Sequence, residues 1–127
     1  MNGILIRTRN GEYRAELDDS DIGNALWLSL PFTNVANELG DELYFECPLK
    51  DLRETGTRQN TFEKGDIAWW PGVGAVCLFF GPTPLSGEDG KPVSKYKCIK
   101  IGRIFDDCTS LEEAGDRQRI TLLQRLD

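Results

Sequence analysis

The side chains in this sequence that could do chemistry are carboxylates, thiols and aromatics, because none of the 127 residues is histidine. Without imidazole neither a Ser-His-Asp nor a Cys-His arrangement can be assembled, and the commonest transition-metal ligand is missing. The four cysteines, Cys47, Cys77, Cys98 and Cys108, stand 30, 21 and 10 residues apart. No C-x-x-C pair starts a zinc site, so no metal is expected, nor any other cofactor. Gly72-Val73-Gly74 lacks the third glycine and the strand-to-helix setting of a dinucleotide loop, and Gly56-Thr57 and Gly65-Asp66 lack the Gly-Lys-Ser/Thr that cradles phosphates.

Carboxylates are the remaining polar option. In the alternating run Glu42-Leu43-Tyr44-Phe45-Glu46-Cys47, Glu42, Tyr44 and Glu46 share one strand face. At ~3.3 Å per residue the two glutamates lie about 13 Å apart, too far to act as a close acid/base pair, and both read as solvent-facing. Glu46 is the one weak catalytic candidate: enclosed by aromatics, its pKa would rise and it would serve as a general base. Trp69-Trp70 and Phe79-Phe80 are adjacent pairs, so in strands one member of each enters the core while the other needs a cover. That cover is either a helix or loop of the chain itself, or a ligand in a concave apolar site flanked by loops 51–64 and 81–95.

The elements that must position these residues are short strands. Residues 4–9 and 12–17 flank Asn10-Gly11, a type I′ hairpin signature, and pairing Arg9 with Glu12 sets Ile4 opposite Leu17, Ile6 opposite Ala15 and Thr8 opposite Tyr13. Arg7 then faces Arg14, a mild conflict relieved by Glu12 and Glu16. Ser20 caps a short helix carrying Ile22, Ala25, Leu26 and Leu30, with Asp21 in its first turn and Pro31 at its end. Residues 32–39 read as polar and irregular, 42–47 as a strand, and 51–64 as a long loop. Strands follow at 66–70 and 75–80, a second long loop at 81–95, and strand character again at 96–105. A short helix at 111–114, capped by Thr109 or Ser110, precedes a closing strand at 118–126. Many short strands with two brief helices imply a mainly β domain closed into a barrel, with a sandwich as the alternative.

Length and composition set the outer limits. With 39% hydrophobic and 28% charged residues, the chain reads as one globular domain spanning residues 1–127. A formal charge of −6, spread along the chain, argues against nucleic acid as a partner. No apolar run suits a membrane span and no leader precedes the first strand, so a cytoplasmic protein with reduced, buried cysteines is expected.

Three segments are more specific: Gly65-Asp66-Ile67-Ala68-Trp69-Trp70-Pro71-Gly72, then Cys77-Leu78-Phe79-Phe80-Gly81-Pro82-Thr83-Pro84, then Ile101-Gly102-Arg103-Ile104. In order and spacing they resemble the small prokaryotic cyclophilin-like proteins, as does Asn37-Glu38-Leu39-Gly40-Asp41-Glu42-Leu43-Tyr44-Phe45. The resemblance covers residues 37–104 and implies a closed eight-stranded barrel with two short helices, binding ligands on the outer surface of its sheet. It also implies that the strand ending Leu78-Phe79-Phe80 corresponds to the one whose phenylalanine pair floors the proline pocket of true cyclophilins. The departures are equally informative. Isomerases of this fold use an arginine strand, a glutamine, and a pocket histidine and tryptophan, whereas the matching strand here, residues 43–47, offers Glu46, and Arg53 and Arg58 are the nearest loop cations.

The sequence therefore points to a binding module for a small molecule or extended peptide, with Tyr44, Glu46, Trp69, Trp70, Phe79, Phe80, Pro82 and Thr83 as the site. A residual prolyl isomerase, or a carboxylate-assisted enzyme on the same surface, is the alternative. Surplus aromatics keep an oligomeric assembly component open as a third class.

Overall fold

The computed structural model describes residues 2–126, in which nine strands, one α-helix and one 3-10 helix follow the chain. The strands are β1 (Asn2–Thr8), β2 (Gly11–Leu17), β3 (Phe32–Glu38), β4 (Glu42–Glu46), β5 (Arg58–Thr61), β6 (Asp66–Trp70), β7 (Ala75–Phe79), β8 (Val93–Ile104) and β9 (Gln118–Gln124). Helix α1 (Asp21–Ser29) follows β2, and the 3-10 helix (Thr109–Ala114) precedes β9. Every strand pairing is antiparallel, in the order β2-β1-β9-β3-β4-β7-β6-β8, and β8 pairs back to β2. Eight strands thus form a closed ring, as the resemblance implied, and only β5 lies outside it.

Strand β8 makes closure work because it is long enough to serve two partners along one edge. Ile99 pairs with Arg58 of β5 and with Trp69 of β6, whereas Gly102 pairs with Leu17 of β2 and with Ile67 of β6. Gly102 sits at the seam, where an added Cβ would lie 2.2 Å from the carbonyl oxygen of Glu16. Only a glycine lets the two backbones approach this closely.

Alternation along the strands sends one face of each into the ring. Leu43 and Phe45, Ile67 and Trp69, and Val76, Leu78 and Phe80 join Ile6, Ala15 and Leu17 in one core. Helix α1 adds Ile22 and Leu26, and the 3-10 helix adds Leu111. The α1 cap is the expected one, Ser20 Oγ accepting from the Gly23 amide at 3.0 Å. The second helix differs: it is a 3-10 turn opening at Cys108 with no side-chain cap.

Three further expectations are corrected. The β1–β2 register is displaced by two residues, pairing Ile4 with Ala15, Ile6 with Tyr13 and Arg7 with Glu12. The turn is built on Arg9 and Asn10 with only Gly11 at positive φ, so it is not type I′; a shift of two keeps every side chain on its face. It also removes the Arg7–Arg14 conflict, since Arg7 Nε meets Glu12 Oε2 at 2.6 Å. Residues 32–38 are a strand, because β4 and β9 supply hydrogen bonds on both sides of a segment that itself buries only Ala36 fully. Within loop 51–64, residues 58–61 pair with β8 as β5.

All four cysteines are free and buried. Among the described residues no helix is long and apolar enough to cross a membrane.

Candidate functional site

On the outer face of the ring, β7 presents Ala75, Cys77 and Phe79 between larger side chains of β4 and β6. Register sets Tyr44 beside Cys77, Glu46 beside Ala75, Glu42 beside Phe79 and Trp70 beside Ala75. Because Ala75 and Cys77 are small, Tyr44 and Trp70 lean over β7 and meet edge to face, with centroids 6.1 Å apart. Tyr96 of β8 stacks on Trp70 at 4.9 Å. A second apolar cluster of Phe62, Ala68, Cys77, Phe79 and Cys98 packs beneath, against Tyr44 and Trp70.

This arrangement answers how the paired aromatics are covered. Trp69 and Phe80 are the inward members, 2% and 3% exposed. Phe79 points outward but is stacked under Phe62, which follows β5, at 4.5 Å. The loop itself is the cover for Phe79, and neither phenylalanine floors an open outer pocket, contrary to what the resemblance implied. Trp70 is left half-buried. The inward Trp69 donates its indole N–H to Glu54 Oε2 at 2.8 Å, and the same oxygen accepts from the Gly72 amide at 3.0 Å. Its edge reaches a separate depression beneath residues 48–54, not the Trp70 surface.

Tyr44 and Trp70 form a ridge shared by two adjoining hollows. One, of about 250 Å³, is mixed: Asn34, Asn37, Glu46 and Arg117 join the ridge, with Val35, Val73 and Ala75. The other, of about 150 Å³, is largely apolar: Leu39, Trp70 and Tyr96 surround it with Tyr44, and Glu42, Ser94 and Lys95 contribute the polar atoms.

Glu42 is the unexpected member. It reads as solvent-facing in the sequence, yet it is 5% exposed. Burial raises its pKa from 4.5 to about 7, partly opposed by a hydrogen bond from the Cys77 thiol. Cys77 is in turn held well above its ordinary range, first by its hydrogen bond with Cys98, then by burial and by the Glu42 charge. Ser94 Oγ lies 3.9 Å from Cys98 Sγ, completing a buried row of polar groups from β4 to β8. Near neutral pH such a carboxyl can either donate or accept a proton.

Of the residues singled out in the sequence, the fold brings Tyr44, Glu46 and Trp70 together. Glu46 is exposed, with its backbone carbonyl accepting from Asn34 Nδ2 at 2.8 Å. Pro82 is exposed, and its carbonyl accepts from the Asp41 amide at 2.9 Å. The Thr83 hydroxyl is committed to its own loop, donating to the Val93 carbonyl at 2.5 Å and accepting from the Val93 amide at 3.1 Å. Arg53 and Arg58 are exposed, and neither lines the two hollows. The arginine that does is Arg117, in the larger hollow, at φ 60° just before β9, beside Asp116, whose Oδ1 accepts from the Glu38 amide at 2.9 Å; the smaller hollow has Lys95 in its lining. Tyr96 was findable: it stands two residues before Cys98 and so shares its strand face. Arg117 and Glu42 depend on contacts between distant segments and carried no local signal.

Comparison with known proteins follows the same lines. The model of a family described as Cyclophilin-like matches residues 2–123. The solution structure of the hypothetical protein AF2241 from Archaeoglobus fulgidus superposes with a TM-score of 0.74 at 28% identity, covering 98% of this chain and 95% of that one. A structure of McbB in complex with tryptophan gives a TM-score of 0.71 at 16% identity, with 98% of this chain spanning 45% of that one, a likeness of fold alone. A search of curated proteins finds no match.

Proposed function

Because this chain belongs to the cyclophilin-like family, we propose that it is a binding module, and that the outer-face surface around Tyr44 and Trp70 takes a small molecule or an extended peptide. One observation carries the reading: Trp70 is half-buried between Tyr44 and Tyr96 and walls both hollows. A large aromatic side chain held in place by two others, with an apolar hollow on one side and polar groups on the other, suits a ligand that buries one part and hydrogen-bonds through another. Holding the rings in advance also lowers the ordering cost of binding.

The test is a screen of small aromatic fragments and short proline-containing peptides by two-dimensional NMR. Shifts should centre on Tyr44, Trp70 and Tyr96 and vanish in Trp70→Ala. A screen in which no probe perturbs these residues overturns the reading.

Glu42 favours a second reading, a carboxylate-assisted enzyme on the same surface, since a carboxyl with a pKa of about 7 is suited to proton transfer at neutral pH. Prolyl isomerisation is the family-related version. It needs a donor that stabilises the twisted amide, a role open to Arg117 but not to the exposed Arg53 or Arg58 outside these hollows. A proline-peptide isomerisation assay separates the readings. A rate above background that is lost in both Trp70→Ala and Arg117→Ala would put the enzyme first, and no acceleration leaves the binding module.

A further inference from the structure

The smaller hollow combines three features: aromatic walls, a buried acid, and no positive charge paired with that acid. Tyr44, Trp70 and Tyr96 all border it, and Leu39 completes the apolar part. Glu42 contributes to its lining while only 5% exposed. Among the described residues no lysine or arginine forms an ion pair with Glu42. A buried carboxyl is ordinarily paired or held neutral, since an isolated buried charge is costly. Here it is left without a cation beneath rings whose faces attract positive charge.

Resting on the reading of this surface as a binding site, we propose that the hollow recognises a compact organic cation, of the alkylammonium or methylated-ammonium class, with Glu42 as counter-ion and the Tyr44, Trp70 and Tyr96 rings as walls. The volume, about 150 Å³, suits one small substituted ammonium group and little more. The chain's formal charge of −6 favours approach of a cation. One ring already holds a cation: the Lys95 ammonium lies 5.5 Å from the Tyr96 centroid, on an exposed side chain that is not paired with Glu42.

Proton linkage follows from the neighbours. Cys77 of β7 bonds to Glu42, and Cys98 and Ser94 of β8 lie behind it. Lys95 and Tyr96 face the hollow from β8, and Tyr44 faces it from β4 itself. The nearest acid on β6, Asp66, is already paired with Lys100 at 3.0 Å. A bound cation would favour ionised Glu42 over the neutral form that burial alone maintains. Binding should therefore release a proton near pH 6.5 and tighten as pH rises.

The experiment titrates the intact protein with tetramethylammonium chloride and with its uncharged analogue tert-butyl alcohol, following indole fluorescence and NMR shifts at pH 6 and pH 8, with sodium chloride matching the ionic strength. The cation should bind about tenfold more tightly than the alcohol at pH 8, and about tenfold more tightly at pH 8 than at pH 6. In Glu42→Gln, checked for folding by its amide spectrum, the preference for the cation should shrink to the part the rings supply and its pH dependence should disappear. Equal affinity for the two probes, or a preference that keeps its full size and pH dependence in Glu42→Gln, overturns the proposal. If the alcohol and the screened fragments bind but the cation shows no advantage, the cation inference fails alone. If nothing perturbs Tyr44, Trp70 and Tyr96, the binding site fails with it.

Discussion

Trp70 and Tyr96 stack with ring centroids 4.9 Å apart and planes 21° from parallel, joining β6 to β8 across the outer face of the ring. Trp70 is half-buried and Tyr96 is 50% exposed, so this pair is assembled at the surface and not in the core. Such a pair contributes about 0.5–1.5 kcal/mol beyond the area it buries. Trp70→Ala, Tyr96→Ala and the double variant, compared by urea denaturation, should show a coupling energy in that range. Additive effects would mean that the rings are neighbours without interacting.

Trp69, one residue earlier, illustrates the opposite fate of an aromatic in the same strand. Glu54 Oε2 satisfies its buried indole N–H and also accepts from the Gly72 amide. Removing that acceptor strands a donor on a side chain 2% exposed. Glu54→Ala should cost about 1–3 kcal/mol and accelerate exchange of the Trp69 indole proton, while Glu54→Gln, which keeps an acceptor oxygen, should cost less than half as much. Equal losses in both variants would show that the carboxylate charge, not the hydrogen bond, holds the loop.

How much of this was legible in the sequence depends on whether the cause is local. The faces of β1 and β2 follow from alternation, whereas their register required knowing that Arg9 and Asn10 form the turn. Ser20 announced α1 because a cap acts within four residues. Strand β3 was invisible, since its partners β4 and β9 create it and its own residues bury little. The site divides the same way. Strand period alone puts Tyr44 and Glu46 on one face, but it could not choose between Trp69 and Trp70, and the hollow that Glu42 shares with Trp70 and Tyr96 is brought together from segments far along the chain. The period also could not say that Phe79 would be covered and Trp70 left half-buried.

The ring's seam can be tested at Gly102. A Cβ there would meet the Glu16 carbonyl oxygen at 2.2 Å and the Leu17 Cα at 3.1 Å, both backbone atoms that cannot move without parting β2 from β8. Gly102→Ala should destabilise the fold by more than about 2 kcal/mol, the scale of strain from overpacking. It should also remove hydrogen-exchange protection first from residues 15–17 and 102–104. A variant with unchanged protection there would show that the seam tolerates a side chain.

Cys77 and Cys98 lie in one buried cluster on the outer face, yet a disulfide between them is ruled out by topology. β6 lies between their strands, so their Cα atoms are no closer than about 9–10 Å by strand spacing, well beyond the reach of a disulfide. All four cysteines are buried. A thiol reagent should therefore label none of them quickly in the native protein and all of them in urea, and mild oxidants should yield no internal crosslink. Rapid native labelling of one thiol would reveal a local opening on the outer face.

Glu42 makes stability depend on pH in a direction opposite to that of a salt-bridged acid. Its pKa is about 7 in the folded chain against 4.5 as the ordinary value. Below pH 4.5 the group is neutral in both states and has no effect. As pH rises from 4.5 through 7 the unfolded chain loses its proton first, so the folded state binds more protons and stability falls. Above pH 7 both states are ionised, and the loss levels off at about 3 kcal/mol for a shift of this size. Glu42→Gln is free of this penalty. Urea unfolding at pH 5, 6, 7 and 8 should show the variant gaining on the parent protein with each step up to about pH 7, then holding a constant advantage. Parallel stability profiles for the two proteins would mean that water reaches Glu42 and that the carboxyl is ionised at neutral pH.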